Sequence, residues 1–240
     1  MSGHSHFKTV AATKNANDAK RGKIFSKMAR VITIVVKEGG KDPLINAKLK
    51  TAIDKARELN MPKDNIERAI KKGAGELVGE ILEEISIEGF GPGGFAIIID
   101  GITDNKNRTL NEVKGILGQY DGKMAGEGAV KWMFQRNGLI VLSAAGKSTE
   151  DLELLAIEVG AEDVRSKGEM LHILTKPEDL EKIKKSLEKK QLHIASSSLE
   201  WVPKEETAIG EKEQAKAQKL FEALDEQDDV QDIYSNLKEN

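Results

Sequence analysis

Gly138-Leu139-Ile140-Val141-Leu142-Ser143 is the stretch on which the reading of this chain turns. Its uninterrupted aliphatic run, bounded by a glycine and a serine, reads as a buried β-strand. A helix follows from Thr149 to Val159, with Thr149 as its cap. Glu162-Asp163-Val164-Arg165 and Met170-Leu171-His172-Ile173-Leu174 read as two more strands. Pro177 to Lys190 is a helix opened by proline in its first turn, and Leu192 to Val202 is mostly strand. The order is β-α-β-β-α-β, the ferredoxin-like split motif. Residues 137–203 therefore complete a unit by themselves, and the chain on either side needs its own explanation.

Before this unit, Glu84-Ile85-Ser86-Ile87-Glu88 and Phe95-Ala96-Ile97-Ile98-Ile99 alternate as strands. The glycine-rich link between them, Gly89 to Gly94, lacks the Lys-Ser/Thr of a phosphate loop and reads as a turn. A helix then runs to Tyr120, capped by Asp104 or Asn107. Gly126 to Gln135 returns to a strand around Val130, Trp132 and Phe134, and both Trp132 and Trp201 are expected in the core. That leaves β-β-α-β, one helix and one strand short of a sheet domain. After Pro203 come a helix, Glu211 to Leu224, and a strand, Val230 to Leu237. Adding this tail completes a second small sheet, with the acidic run Asp225-Glu226-Gln227-Asp228-Asp229 between them as a solvated loop. The fold class expected is α+β: a helical domain at 1–78, a discontinuous α/β domain at 79–136 with 204–240, and an inserted ferredoxin-like domain at 137–203.

The first residues differ in character. Residues 1–75 hold 17 Lys and Arg against 7 Asp and Glu, in a chain that carries 37 against 40 overall. A basic head on an acidic body suggests a polyanionic partner, although a solvated lysine-rich face would look the same. Residues 1–13 read as an arm without periodicity. A helix from about Asn15 to Lys37 ends at Gly39-Gly40. At 100° per residue, Ile24, Met28, Val31 and Val35 make an apolar stripe, and Lys20, Lys23, Lys27 and Arg30 share an adjacent arc facing outward. Asp42-Pro43 opens a second helix carrying Leu44, Ala47, Leu49, Ala52, Ile53, Ala56 and Leu59. Pro62 to Lys72 is a third, with Ile66, Ala69 and Ile70 inward.

The cysteine count of zero excludes disulfides, thiol catalysis and Cys-ligated zinc. No apolar run spans a bilayer, and MSGHSHFK lacks a signal-peptide core, so a cytoplasmic location and no membrane partner are expected. The four histidines, His4, His6, His172 and His193, show no metal-binding spacing, and no serine sits in a Gly-x-Ser-x-Gly elbow. Neither catalytic residues, a cofactor nor a metal is expected, and a small-molecule ligand is disfavoured. The nucleic-acid candidates are Lys8, Lys14, Lys20, Arg21, Lys23, Lys27 and Arg30 in the head, with Asn105, Lys106, Asn107 and Arg108 at a helix N-terminus that favours anions. Phe7, flanked by His4, His6 and Lys8, either docks on the bundle or stacks on an unpaired base.

Several of these stretches resemble the YebC family: Gly3-His4-Ser5, Asp18 to Lys27, Asn60-Met61-Pro62-Lys63-Asp64-Asn65-Ile66-Glu67-Arg68-Ala69-Ile70-Lys71, Glu88 to Gly94, and Thr103 to Thr109. The resemblance runs over essentially the whole chain. It implies a cytoplasmic, non-enzymatic protein of one helical and two α/β domains. Family members are described as DNA-binding transcriptional regulators, and mitochondrial relatives as translational activators that contact ribosomal RNA. Lys20, Arg21, Lys23, Lys27, Asn105, Asn107 and Arg108 match the family motifs that fit such a role. The family's usual tryptophan is replaced here by Phe7, followed by the weakly basic Thr9-Val10-Ala11-Ala12, which implies a weaker arm. DNA-directed regulation is the expected function, ribosome-associated activation the second. A protein-interaction or ligand-sensing module is the reading from another class.

Overall fold

In a computed structural model of the protein, residues 18–144, 148–168 and 170–238 are described. The candidates Phe7, Lys8 and Lys14, the histidines at 4 and 6 and the expected arm lie outside them.

The head is three helices: α1 (Asp18–Gly39), α2 (Ala47–Glu58) and α3 (Lys63–Gly73). Met28, Ile32 and Val36 of α1 bury against Leu49, Ala52, Ile53 and Ala56 of α2 and Ile66 and Ala69 of α3. The apolar periodicity of the sequence thus becomes one small core. The start of α2 differs from the expectation at Asp42-Pro43. Asn46 caps the helix by accepting from Leu49 N–H at 3.0 Å, while its amide donates to Val35 O at 2.9 Å and Gly40 O at 2.8 Å. Four residues of the expected first turn therefore form a loop, and Leu44, expected inward, points to solvent. A Cβ at Gly39 would meet Asn46 Nδ2 at 2.6 Å, so this loop needs glycine there.

The body has two antiparallel four-stranded sheets. The first contains β1 (Glu83–Phe90), β2 (Ala96–Thr103), the two-residue β3 (Lys123–Met124) and β8 (Val230–Ser235), in the order β3-β1-β2-β8. Helices α4 (Lys106–Gln119) and α7 (Glu211–Asp225) cover one face through Val113, Leu117, Leu220 and Leu224 on Ile85, Ile87, Phe95, Ile97 and Ile99. The tail strand joins this sheet, as expected, by pairing with β2. The third strand is β3, not the segment around Val130 to Phe134. That segment is a turn of 3-10 helix, Lys131–Met133, leading into β4 (Phe134–Ser143).

The second sheet runs β5 (Asp163–Lys167), β6 (Met170–Thr175), β4, β7 (Ile194–Pro203), the order the split motif produces. Helices α5 (Thr149–Glu158) and α6 (Leu180–Lys189) pack on Ile140, Leu142, Leu171 and Ile173. Ser148, rather than Thr149, caps α5. β4 and β7 stay paired down to Phe134 and Pro203. Their root packs through Phe134 and Trp201 onto Ala96, Ile98 and Tyr234, the other face of the first sheet. β2 is thereby covered on both sides. We propose the division into 1–78, 79–136 with 204–240, and 137–203 on this ground, since the two sheets share no strand.

Candidate nucleic-acid interface

The first turns of α1 present Lys20 and Arg21 to solvent. Three residues later the helix meets the body, and the outward arc expected at Lys20, Lys23, Lys27 and Arg30 divides. Lys23 Nζ donates to the Glu226 backbone oxygen at 2.9 Å and to its Oε2 at 2.6 Å. Lys27, only 3% exposed, donates to the Asp225 backbone oxygen at 2.6 Å and lies 3.5 Å from Oδ1 of the same residue. Asp225 ends α7, so the two lysines meet carbonyls at a helix C-terminus, where positive charge is favoured. Arg30 donates to the Ile102 backbone oxygen at 2.9 Å and pairs with Asp229. Lys27 and Arg30 therefore face the body, contrary to the outward placement expected. Helical phase separates two faces but does not say what covers each.

Of the acidic run at 225–229, Glu226 and Asp228 are exposed, as expected of a solvated loop, but Asp225 belongs to α7 and Asp229 is buried. Asp229 is buried and accepts from Arg30, from Arg108 Nη2 at 2.8 Å and from Thr109 Oγ1 at 2.6 Å. Burial alone would raise its carboxyl, but the donors from Thr109, Arg108 and Arg30 hold it well below the usual carboxylate range. For Lys23 the Glu226 hydrogen bond raises the ammonium pKa. For Lys27 burial lowers it, against the pull of Asp225.

The second candidate surface meets the first at Asp229. Asn105 is the cap of α4, accepting from Arg108 N–H at 3.1 Å, in place of the expected Asp104 or Asn107. Arg108 is bound to Asp104 at 2.7 Å as well as to Asp229, and its guanidinium is raised by both. Lys106 and Asn107 stand exposed at the start of the helix. Elsewhere in the head, Lys50, Arg68, Lys71 and Lys72 are exposed. Arg68, Lys71 and Lys72 share the outer face of α3 by their three- and four-residue spacing. Among the described residues, Lys20, Lys50, Arg68 and Lys72 form no ion pair within 4.0 Å.

Sequence reasoning missed Asp229, since nothing in chain order links it to Arg30 or Thr109. It also missed the exposure of Trp132, which is 65% accessible with its indole N–H on Ala129 O at 3.0 Å. Trp201 is half-buried in the root of the ribbon, under Arg136 at 5.0 Å. No group of three or more His, Asp or Glu among the described residues could hold a metal ion, and no described helix is long and apolar enough to cross a membrane.

Residues 5–76 match the TACO1/YebC protein N-terminal domain, and residues 82–237 the TACO1/YebC second and third domain. A protein of Natranaerobius thermophilus described as "Probable transcriptional regulatory protein" is 45% identical over 240 residues, covering 99% of this chain and 96% of that one. A protein of the same description from Thermoanaerobacter pseudethanolicus is 41% identical over 239 residues, 99% of this chain and 97% of that one. The crystal structure of a conserved hypothetical protein, Aq1575 from Aquifex aeolicus, is similar with a TM-score of 0.85. It is 44% identical and the match covers 92% of this chain and 91% of that one.

Proposed function

The chain belongs to the TACO1/YebC family, and from that premise we propose that it is a non-enzymatic regulator of gene expression that binds nucleic acid through its helical head. The observation that carries this reading is the unspent charge of the head. Lys23, Lys27 and Arg30 are committed to the body, yet Lys20, Lys50, Arg68, Lys71 and Lys72 remain exposed on a segment of strong positive surplus. Lys106 and Asn107 add a donor pair at the start of α4.

Such a surface gives affinity through phosphates and carries little sequence information. The relatives' description as transcriptional regulators makes DNA the first polymer to test. Ribosomal RNA is the second, since contacts to phosphates alone do not distinguish the two polymers. The test is a salt titration with duplex DNA and with structured RNA. Binding through four or five phosphates gives a slope of log affinity against log salt of about −4. Reversing Lys20, Arg68 and Lys72 to glutamate should reduce that slope by roughly three, because each contact contributes about 0.9. Undetectable binding of both polymers at low salt defeats the reading. Unchanged binding by the triple variant removes the head from the contact.

A further inference from the structure

Helix α5 carries two apolar stripes where the second sheet needs one. Leu152 and Ala156 are buried against the sheet, with Leu155 partly buried beside them. At 100° per residue, Leu154 and Ile157 fall on the opposite side of the helix, one turn apart. They are 67% and 61% exposed. Scattered exposed aliphatics need no explanation, but a pair aligned on one helix face does. Helix propensity does not supply one for Ile157, because a β-branched residue is a weaker helix former than Gln, Glu or Lys.

The rim of this stripe carries one sign of charge. By helical phase, Asp151 and Glu158 lie on one side of it, Glu153 on the other and Glu150 at its N-terminal end. No Lys or Arg occurs anywhere in α5. Glu150 and Asp151 suit the first turn, where the helix dipole favours acids; Glu158 stands in the last turn, where it is disfavoured. Among the described residues one cation pairs with the four carboxylates: Lys190 Nζ lies 3.1 Å from Glu158 Oε2. That pair is exposed and contributes little.

We propose that the outer face of α5 is a docking surface for a basic amphipathic helix of a partner protein. The partner lays an aliphatic stripe on Leu154 and Ile157 and sets Lys or Arg against Glu150, Glu153 and Glu158. Charge selects this occupant. An acidic rim repels the phosphates of DNA and RNA and the headgroups of an anionic membrane. A twofold contact between two copies through α5 would set the same carboxylates against one another. Docking α5 on the basic head of another copy would be heterologous, giving rings or fibres rather than a closed pair. The three-residue spacing of the stripe fits the ridges of a second helix. This surface shares no residue with the nucleic-acid candidates, so it stands or falls apart from them.

The test titrates the full chain into a dye-labelled helical peptide of leucine and lysine, its leucines three and four residues apart on one face. Saturable binding is expected. The same peptide with glutamate for lysine should not bind, and with serine for leucine it should bind at least about tenfold more weakly. Leu154→Gln with Ile157→Gln keeps every charge and should weaken binding of the lysine peptide at least about tenfold. Glu150→Gln with Glu153→Gln keeps the stripe and should weaken it about fivefold at low salt, a loss that shrinks as salt rises. Undetectable binding of the lysine peptide by wild type at low salt overturns the proposal. So does unchanged binding in either variant, or equal binding of the serine peptide, since charge alone would then explain the contact. A wild-type dimer that Leu154→Gln with Ile157→Gln dissociates in sedimentation also overturns it, because the occupant would be a second copy.

Discussion

Asp229 receives two guanidiniums and a threonine hydroxyl while nearly sealed from water, so its charge is supported by donors rather than by solvent. Removing that charge strands Arg30 in a half-buried site. Asp229→Asn is expected to cost roughly 3 kcal/mol in chemical denaturation, the scale of breaking a buried pair from one side. The pH dependence follows from the depressed carboxyl. Its contribution is fully present above the unfolded aspartate value of about 4 and is lost as pH falls through that value toward the folded one. Wild type should therefore lose stability steadily below about pH 5, and Asp229→Asn should flatten that slope. A variant with the same acid slope as wild type would show that other carboxylates govern it. Arg30 was legible in the sequence as a cation on a polar face. Its partner was not, because 199 residues separate them and only the returning tail brings them together.

Among the elements, the aliphatic run 138–143 and the motif built on it were readable because continuous burial leaves an unbroken apolar signature. So was the membership of the tail strand in the first sheet, which lacked a helix and a strand without it. The segment 126–133 was not, because its shape is imposed by one distant side chain. Glu88, on β1, accepts from Gly128 N–H and Val130 N–H at 2.7 Å and from Lys131 N–H at 3.0 Å. Burial would raise this carboxyl, but the three backbone donors and the Lys131 charge bring it below its ordinary value. The carboxylate thereby bends into a loop a segment whose alternating apolar residues read as a strand, and Trp132 is left outside. Asn46 overrules Asp42-Pro43 in the same way. Glu88→Gln would turn an amide donor against one of these N–H groups, at a cost of about 2 kcal/mol. Hydrogen exchange at Gly128, Val130 and Lys131 should accelerate in that variant while β4 and β7 remain protected. Unchanged exchange at those three amides would mean that the loop is held by something other than Glu88.

At the scale of the molecule, the positive surplus of the head performs two tasks that composition cannot separate. One part docks the head on the acidic end of α7, and the other remains open to solvent. Lys23 lies at the border, half-exposed and paired with an exposed Glu226, so it can serve either task. An exposed pair of this kind is worth less than about 1 kcal/mol, weak enough for a phosphate to compete with it. Exchanging the charges, Lys23→Glu with Glu226→Lys, keeps the net charge and restores the attraction across the joint. If Lys23 only docks, the exchanged protein should bind nucleic acid within about threefold of wild type, with its salt slope unchanged. Lys20→Glu, which leaves the docking bonds intact, should instead lower the slope by about one. A salt titration of wild type, the exchanged protein, Lys20→Glu and Lys23→Glu alone decides the matter. Should the exchanged protein lose as much affinity as Lys23→Glu alone, Lys23 meets phosphate directly. The acidic end of α7 would then be a competitor that nucleic acid displaces, and binding would be coupled to release of the head from the body.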